Sequence, residues 1–270
     1  MGDRLRMEAT HAGVTTDAVR DFWEGNPLCA AAIPFARGTR EYFEHHNRLR
    51  EAVEPPELAE RVHEFGSFRG KKVLEVGCGN GYVLSKYAAR GADVYGVDLT
   101  QAAVDLTKKR FELSGLLGNF QVGDAEHLPF EDDTFDCVCS MGVLHHVPDT
   151  LRGFAEIRRV LKPGGRIIVM LYHRDSAWYQ CGMRLRSLLG GKSMVQLVNE
   201  VDGVGNPKGA VYTRAEMRSL LTSYRNVEVF TDCVTGNMVL PKFGDRIPNA
   251  LVKPLGPLFG WFLYGKGTKP

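Results

Sequence analysis

The residues of this chain that could do chemistry stand at the ends of apolar stretches. Three glycines at alternate positions follow residues 73–76, which are apolar apart from Glu75. Glycine is required where φ is positive or where backbone must approach a ligand closely. Residues 82–89 are predicted to form a helix, whose first N–H groups and positive dipole end would point at the same place. The sequence therefore predicts a turn that binds a polar or anionic group of a nucleotide-like ligand.

The spacing of these glycines separates two kinds of nucleotide site. A dinucleotide fingerprint requires G-x-G-x-x-G, whereas this turn reads E-x-G-x-G-x-G from Glu75 to Gly81, with bulky Tyr82 at the third fingerprint position. The pattern resembles the cofactor turn of class I S-adenosylmethionine (SAM) dependent methyltransferases. The resemblance implies that SAM is the cofactor and S-adenosylhomocysteine the product. The turn residues that it assigns to the cofactor are Glu75, Gly77, Cys78 and Gly79.

Two acidic residues end the next two predicted strands. The ionised carboxylate of Asp98 accepts hydrogen bonds and suits a ribose diol, although an Asp before Thr100 also suits a helix cap. Asp124 follows the third strand. The resemblance implies that it accepts from the adenine amino group while the next backbone N–H, of Ala125, donates to the ring; the alternative is a turn aspartate. Leu99 completes the expected adenosine contacts.

The run from Phe135 to Asp149, FDCVCSMGVLHHVPD, is the most specific part of the resemblance. It is similar to the fourth-strand motif of methyltransferases that act on small molecules, such as those of quinone and biotin-precursor synthesis. The resemblance implies that Met141 packs on the methionine part of the cofactor and that the Leu-His-His tract helps to wall the active site. Together with the K-P-G-G run before the fifth strand, the matching motifs cover residues 71–172.

Methyl transfer from a sulfonium is an in-line displacement that depends on proximity, alignment and removal of water. A base is needed only if the acceptor must lose a proton. His145 and His146 are the candidate bases, and a structural role is the alternative for each. The residues predicted to contact the acceptor are Tyr42, Tyr172 and His173. No metal site is expected, because the adjacent His45 and His46 face different sides of a predicted helix and lack a third ligand.

From residue 71 the chain alternates predicted strands and helices, which indicates a doubly wound α/β sheet. The continuous apolar run 167–171 suits a parallel strand covered on both faces. The resemblance implies a Rossmann-like, seven-stranded sheet whose last strand is antiparallel. Residues 17–70 are predicted to be mainly helical, with a stripe of helical spacing at positions 42, 46, 49 and 53, and they are expected to pack on the core as a cap after a flexible N-terminus at 1–16.

The remaining part, 71–270, is expected to form the SAM-binding domain. Lid or insertion segments are predicted at 175–212 and at 241–258, where four prolines indicate irregular structure, followed by a last strand at 260–264. The first of these segments and the cap would enclose the acceptor pocket. The basic, apolar tail is compatible with weak membrane contact or with binding an apolar substrate, but a loop plus an edge strand is the simpler interpretation.

Composition excludes several function classes. The 270 residues are 44% apolar, and their net charge of +2 does not by itself indicate nucleic-acid binding. Six cysteines form no C-x-x-C pair, so Cys137 and Cys139 are expected to be core thiols in a reduced, cytoplasmic protein. No signal-peptide pattern or apolar run of membrane-spanning length is found. The motifs of DNA amino-methylation and of RNA pyrimidine carbon-5 methylation are missing after the fourth strand.

These features favour a SAM-dependent methyltransferase of a small-molecule acceptor at oxygen, nitrogen or carbon. Two alternatives stay open at this point: an enzyme that modifies RNA such as tRNA on the same fold, and a non-catalytic SAM-binding partner subunit. The near-neutral charge and the lack of an RNA-binding motif count against the first. The sequence does not indicate an oligomeric state.

Overall fold

The computed structural model describes residues 13–27, 33–239 and 246–270. The strands are β1 Lys72–Val76, β2 Asp93–Asp98, β3 Asn119–Val122, β4 Phe135–Met141, β5 Leu161–His173, β6 Val211–Tyr212, β7 Arg225–Asp232 and β8 Phe262–Thr268. The helices are α1 Thr16–Gly25, α2 Arg40–Val53, α3 Pro56–His63, α4 Tyr82–Ala88, α5 Gln101–Ser114, α6 Thr150–Val160, α7 Arg184–Gly190, α8 Met194–Asn199, α9 Arg214–Leu220, α10 Gly236–Val239, α11 Asn249–Val252 and α12 Gly256–Phe259. A π-helical turn spans Trp178–Met183, and 3-10 turns span Phe65–Phe68, Glu200–Asp202 and Lys253–Leu255.

One sheet runs through the molecule in the order β3-β2-β1-β4-β5-β8-β7, and the two-residue β6 also pairs with β5. Strands β1 to β5 pair in parallel, whereas β8 is antiparallel to both β5 and β7. The predicted doubly wound sheet with an antiparallel last strand is therefore confirmed. Because β1 to β4 are parallel, their carboxyl ends meet at one edge, which is where such sheets bind ligands.

Helices cover both faces of this sheet. Successive residues of β5 enter different apolar clusters: Ile168 and Met170 belong to one, and Ile167 and Val169 to the other. This arrangement explains why the strand is continuously apolar rather than alternating. Cys137 and Cys139 are fully buried in the first cluster, as expected for core thiols.

The front helices pack on the sheet through a buried ion pair. Arg50, near the end of α2, bonds to the carboxylate of Glu54 at 2.5 Å, and that carboxylate also accepts from the hydroxyl of Tyr264 in β8 at 2.9 Å. Glu54 is almost fully buried, and burial is opposed by the nearby Arg50 and His63, so that its pKa lies below the usual range. The C-terminal end of helix α2 is thereby bonded to β8, which lies 210 residues further along the chain.

Three segments differ from expectation. Strand β5 begins at Leu161, before the apolar run 167–171 that predicted it, because Leu161 pairs with Phe135 and the residues after it run beside the C-terminus. The described part of 241–258 forms short helices rather than irregular chain, because Pro254 and Pro257 occupy first-turn positions, where a missing N–H costs nothing. The last strand extends over Phe262–Thr268. The predictions for residues 1–12 and 241–245 lie outside the described residues.

In the described ranges, no helix combines the length and the apolarity that a membrane crossing would require.

Candidate active site

The glycine-rich turn leaves the sheet between β1 and α4. The N–H groups of Gly77 and Cys78 donate to the carbonyl of Val97, at 2.7 and 3.1 Å. All three glycines have positive φ, but a Cβ would clash with Val143 at Gly77 and with Thr107 at Gly81. A Cβ at Gly79 (φ +55°) would meet no heavy atom within 4 Å. The two outer glycines are therefore required by packing, whereas the middle one faces open space.

Asp98 fixes this turn at the end of β2. Its Oδ2 accepts from the N–H of Gly79 at 3.0 Å, and its Oδ1 accepts from the N–H and hydroxyl of Thr100 at 3.1 and 2.9 Å. The bonds to Thr100 hold the residue that caps α5, since the Thr100 hydroxyl oxygen accepts from the N–H of Ala103. Because Oδ2 accepts only one of these three bonds, it retains a lone pair for a ribose hydroxyl. Burial raises the pKa of this carboxyl, and the N–H donors counteract the rise.

The other predicted adenosine residues lie at the same edge. Oδ1 of Asp124 accepts from the N–H of Glu126 at 2.9 Å, which is the turn role that the alternative describes. Its Oδ2 lies 3.8 Å from Nδ1 of His127. Ala125 is buried, and Leu99 and Met141 are half-buried at the ends of β2 and β4. The structure thus brings these residues to one edge of the sheet without showing a ligand contact for any of them.

Glu75 in β1 is buried below the turn, and its Oε2 has no hydrogen-bond partner. Burial raises its pKa to about 8, although Arg50 and the N–H of Leu84 oppose the shift. The side chain is therefore largely a neutral acid at pH 7, able to donate as well as accept a hydrogen bond.

The two adjacent histidines stand in different environments beyond β4. His145 is fully buried between the rings of His146 and Tyr172, with ring centroids 4.1 and 4.2 Å away. Neither of its ring nitrogens has a partner, and burial lowers its pKa far below the usual value. This environment favours a neutral ring that packs rather than one that exchanges protons.

His146 has the polar partners that His145 lacks. Its Nδ1 lies 2.6 Å from the carbonyl oxygen of Lys208, an acceptor only, so Nδ1 carries a hydrogen and donates it. In the neutral ring Nε2 then has the lone pair, and it lies 3.4 Å from Oδ2 of Asp202. The hydroxyl of Tyr172 donates to the other oxygen of Asp202 at 2.7 Å. Imidazole Nε2 and carboxylate Oδ2 therefore face each other across a space that suits one shared proton.

Asp202 and Lys208 were missed in the sequence, because they fall inside the predicted lid segment 175–212, where no residue was singled out. The Lys208 ammonium is buried and donates to the carbonyls of Val147 and Pro148, at 2.5 and 3.0 Å. This lysine binds the loop to the turn that carries the histidines, which holds Asp202 opposite His146. No local pattern in the sequence signals a contact between positions about sixty residues apart.

The structure also groups His145, His146 and Asp202 with ligand atoms within 4.8 Å of one another, a spacing that could hold a metal ion. The expectation of no metal considered only His45 and His46. The same arrangement of His146 and Asp202 also suits a pair that exchanges a proton.

Two residues predicted for the acceptor do not join this cluster. Tyr42 is buried with Phe43 against Leu106 of α5. His173 lies on the opposite face of β5 from Tyr172, and its Nδ1 bonds to the carbonyl of Gly260 at 3.0 Å. Of the predicted catalytic and acceptor residues, the structure brings together His145, His146 and Tyr172.

Helix α2 instead reaches the glycine-rich turn through Arg110 of α5. The guanidinium of Arg110 donates to the carbonyl of Asn80 at 2.7 Å and to the side chain of Asn47 at 2.9 Å. Asn47 lies on α2, so the turn, α5 and the front helix share one cation. Arg110 was not singled out in the sequence, because a helical arginine usually lies in solvent.

Helix α1 spans the distance between the cofactor edge and the histidines. The carboxylate of Glu24 accepts from the N–H groups of Gln101 and Ala102, both at 3.1 Å, and so caps α5 directly after Asp98. The neighbouring Trp23 ring lies 5.0 Å from the ring of His146. One short helix therefore covers both parts of the candidate site.

A separate groove of about 610 Å³ runs along β3, lined by residues such as Tyr95, Phe111 and Phe130. None of the residues discussed above lines it. The chemistry-bearing residues gather at the carboxyl edge instead, and we take that edge as the candidate site.

Comparison with known proteins agrees with this location. A family model described as a methyltransferase domain matches residues 74–169, from β1 into β5. This span contains the glycine-rich turn, Asp98, Asp124 and both histidines. Residues 74–169 are therefore similar in sequence to a methyltransferase domain.

Curated relatives match stretches of this chain that are similar in length to the 96 residues matched by the family model. A phthiotriol/phenolphthiotriol dimycocerosates methyltransferase of Mycobacterium tuberculosis is 48% identical over 99 residues, which are 36% of this chain and 36% of that protein. A ubiquinone biosynthesis O-methyltransferase of Coxiella burnetii is 35% identical over 113 residues, which are 42% of this chain and 48% of that protein. The chain therefore matches less than half the length of these relatives.

Among solved structures, the magnesium protoporphyrin IX methyltransferase of Synechocystis PCC 6803 with bound S-adenosylhomocysteine aligns over 95% of this chain and all of that one. Its TM-score is 0.62 at 14% sequence identity. At that identity the likeness shows the fold of the methyltransferase domain alone, and it extends that fold over nearly the whole chain.

Proposed function

We propose that this protein is an enzyme that transfers a methyl group from SAM to a small-molecule acceptor. The observation that carries the proposal is the open face of Gly79, held by Asp98 at the same edge as the His146–Asp202 pair. The names of the two curated relatives, one a phthiotriol/phenolphthiotriol dimycocerosates methyltransferase and the other a ubiquinone biosynthesis O-methyltransferase, support a small acceptor. The second name favours oxygen as the methylated atom.

The cofactor would be held by residues that the fold already aligns. Asp98 would accept from the ribose diol, Asp124 from the adenine amino group, and the N–H of Ala125 would donate to the ring. The backbone of residues 77–79 would pass beside the amino-acid part, with Met141 packed on the methionine chain and neutral Glu75 beneath. Bound there, SAM supplies an activated methyl group with its own leaving group.

Proton removal from the acceptor falls to His146 in this proposal. Its Nδ1 is committed to a backbone carbonyl, so Nε2 is the nitrogen that can accept. Nε2 would take the proton that the acceptor hydroxyl loses, and Asp202 would stabilise the imidazolium that forms. Tyr172 holds Asp202 in place by donating to its second oxygen. His145 has a packing role, since it lacks polar partners and stays neutral.

The test is transfer of a labelled methyl group from SAM, with the wild-type chain, into a small-molecule extract and in parallel into bulk tRNA. Label in an extractable small molecule supports the proposal. Label in tRNA alone would replace it with the RNA-modifying alternative. Bound cofactor without transfer to either pool, and a requirement for a co-purifying protein, would indicate a non-catalytic subunit.

A further inference from the structure

Large apolar side chains are exposed along two segments that lie close to the candidate site. The first is α7 with the residues that follow it, 184–192, and the second is 246–259, which includes α11 and α12. Seven of the thirteen exposed large apolar residues in the described parts of the chain fall in these segments: Leu185, Leu188, Leu189, Leu251, Leu255, Leu258 and Phe259. We call the two segments together the docking face.

Each segment lies close in sequence to an aromatic residue, and these two aromatic residues contact each other. Segment 184–192 follows the π-helical turn that contains Tyr179, and segment 246–259 ends two residues before Trp261. The indole N–H of Trp261 lies 3.4 Å from the hydroxyl of Tyr179. The indole ring also stacks on Tyr172 at 4.8 Å. The docking face is therefore anchored beside the wall of the histidine cluster.

Backbone bonds hold the second segment so that its apolar side chains point outward. The hydroxyl of Thr231 in β7 donates to the carbonyls of Gly256 and Pro257, both at 3.0 Å. Arg214 also bonds to the carbonyl of Pro257. Leu258 and Phe259, next in the chain, are about half-exposed or more. These two side chains are therefore exposed on a segment whose backbone is bonded to β7.

The charges of the docking face have a single sign. Segment 184–192 contains Arg184, Arg186 and Lys192, segment 246–259 contains Arg246 and Lys253, and neither contains Asp or Glu. Lys192 is paired with Glu200 at 2.7 Å. Arginine and lysine interleaved with exposed leucine and phenylalanine form the pattern of surfaces that lie in a bilayer interface. Anionic headgroups attract such cations, and the acyl boundary takes up the apolar side chains.

We propose that the docking face binds the surface of an anionic lipid bilayer. A second copy of the chain would cover apolar area, but two copies would bring cations of like sign together, because neither segment contains Asp or Glu. The inference about access rests on the proposed function: docking would present the Tyr172–Trp261 wall to the bilayer, so that an apolar acceptor could enter from lipid.

The experiment is co-sedimentation of the full chain with vesicles of phosphatidylcholine alone or with roughly 30% phosphatidylglycerol, at low and high salt. We expect at least about tenfold more bound protein on the anionic vesicles, reduced by salt. The double substitution Leu188→Ser with Leu189→Ser should lower binding at least about fivefold, because both apolar side chains are more than three-quarters exposed. Leu117→Ser is the matched control, because Leu117 is at least as exposed and lies next to β3, at the opposite end of the sheet from β7.

Equal binding by the double variant and the Leu117→Ser control would overturn the proposal, as would absence of wild-type binding to anionic vesicles at low salt. A concentration-dependent dimer that disappears in the double variant, without vesicle binding, would assign the face to a second copy instead. Titration of S-adenosylhomocysteine separates this result from the proposed function, because cofactor binding does not involve the docking face. Loss of vesicle binding with unchanged cofactor affinity would concern the docking face alone.

Discussion

Substitution of Gly79 by alanine tests whether the open face of the turn is a ligand site. Gly115, at the C-terminal cap of α5, provides a matched control, because it has φ +62° against +55° at Gly79 and a Cβ would meet nothing within 4 Å at either position. An L-residue in this conformation costs about 1–2 kcal/mol. Gly79→Ala and Gly115→Ala should therefore lower the free energy of unfolding by similar amounts, measured by urea denaturation.

Cofactor affinity should separate the two variants. A methyl group at Gly79 would project into the space assigned to the cofactor, where overpacking costs about 1–3 kcal/mol. That cost corresponds to roughly 5- to 150-fold weaker binding of S-adenosylhomocysteine by calorimetry. Gly115→Ala should bind like the wild type. Equal affinities for the two variants would refute the assignment of the open face to the cofactor.

Three further predictions concern the base, a buried acid and the anchor of the front helices. His146→Gln and Asp202→Asn should each lower kcat by about 10²- to 10⁴-fold without changing the affinity for S-adenosylhomocysteine. A chelator should leave wild-type turnover unchanged, because the imidazole is the base. Inhibition by the chelator that a divalent ion reverses would assign the cluster to a metal. Glu75 has a folded pKa of about 8 against 4.5 for a solvated glutamate, so its contribution to stability is complete below pH 4.5 and is lost as the pH rises to 8, at roughly 1.4 kcal/mol per pH unit. Denaturation at several pH values should accordingly show a flatter profile for Glu75→Gln, and an unchanged slope would contradict the shift. Glu54→Ala should lower the free energy of unfolding by about 3–5 kcal/mol, because it leaves the Arg50 charge buried and unpaired, and a loss below about 1 kcal/mol would show that this pair is not an anchor.

The parts of the site that were predictable from sequence lie where local pattern and topology coincide. The glycine-rich turn, Asp98 and Asp124 each follow an apolar stretch directly, and parallel pairing brings strand ends to one edge whatever the intervening sequence. Periodicity and capping residues likewise predicted the front helices. The sheet was therefore predictable as a whole, including its antiparallel last strand, which came from the family resemblance.

The remaining residues could not be found because their partners are distant in sequence. Asp202 meets His146 only because buried Lys208 binds its loop to carbonyls near residue 147. Glu24 caps a helix that begins at residue 101. Local reasoning also misjudged the prolines of the last insertion, which begin short helices because the chain around them is anchored on β7. Contacts of this kind depend on the tertiary fold and leave no local signal.

The central claim is that the edge formed by Gly79 and Asp98 binds the adenosyl cofactor. The most direct measurement is calorimetric titration of S-adenosylhomocysteine into the wild-type chain and into Asp98→Ala, with folding of both verified by circular dichroism. We expect one site per chain in the wild type and at least about tenfold weaker binding in Asp98→Ala, since hydrogen bonds to a charged group contribute about 1.5–3 kcal/mol. No detectable binding to the folded wild type, or unchanged affinity in Asp98→Ala, would contradict the claim.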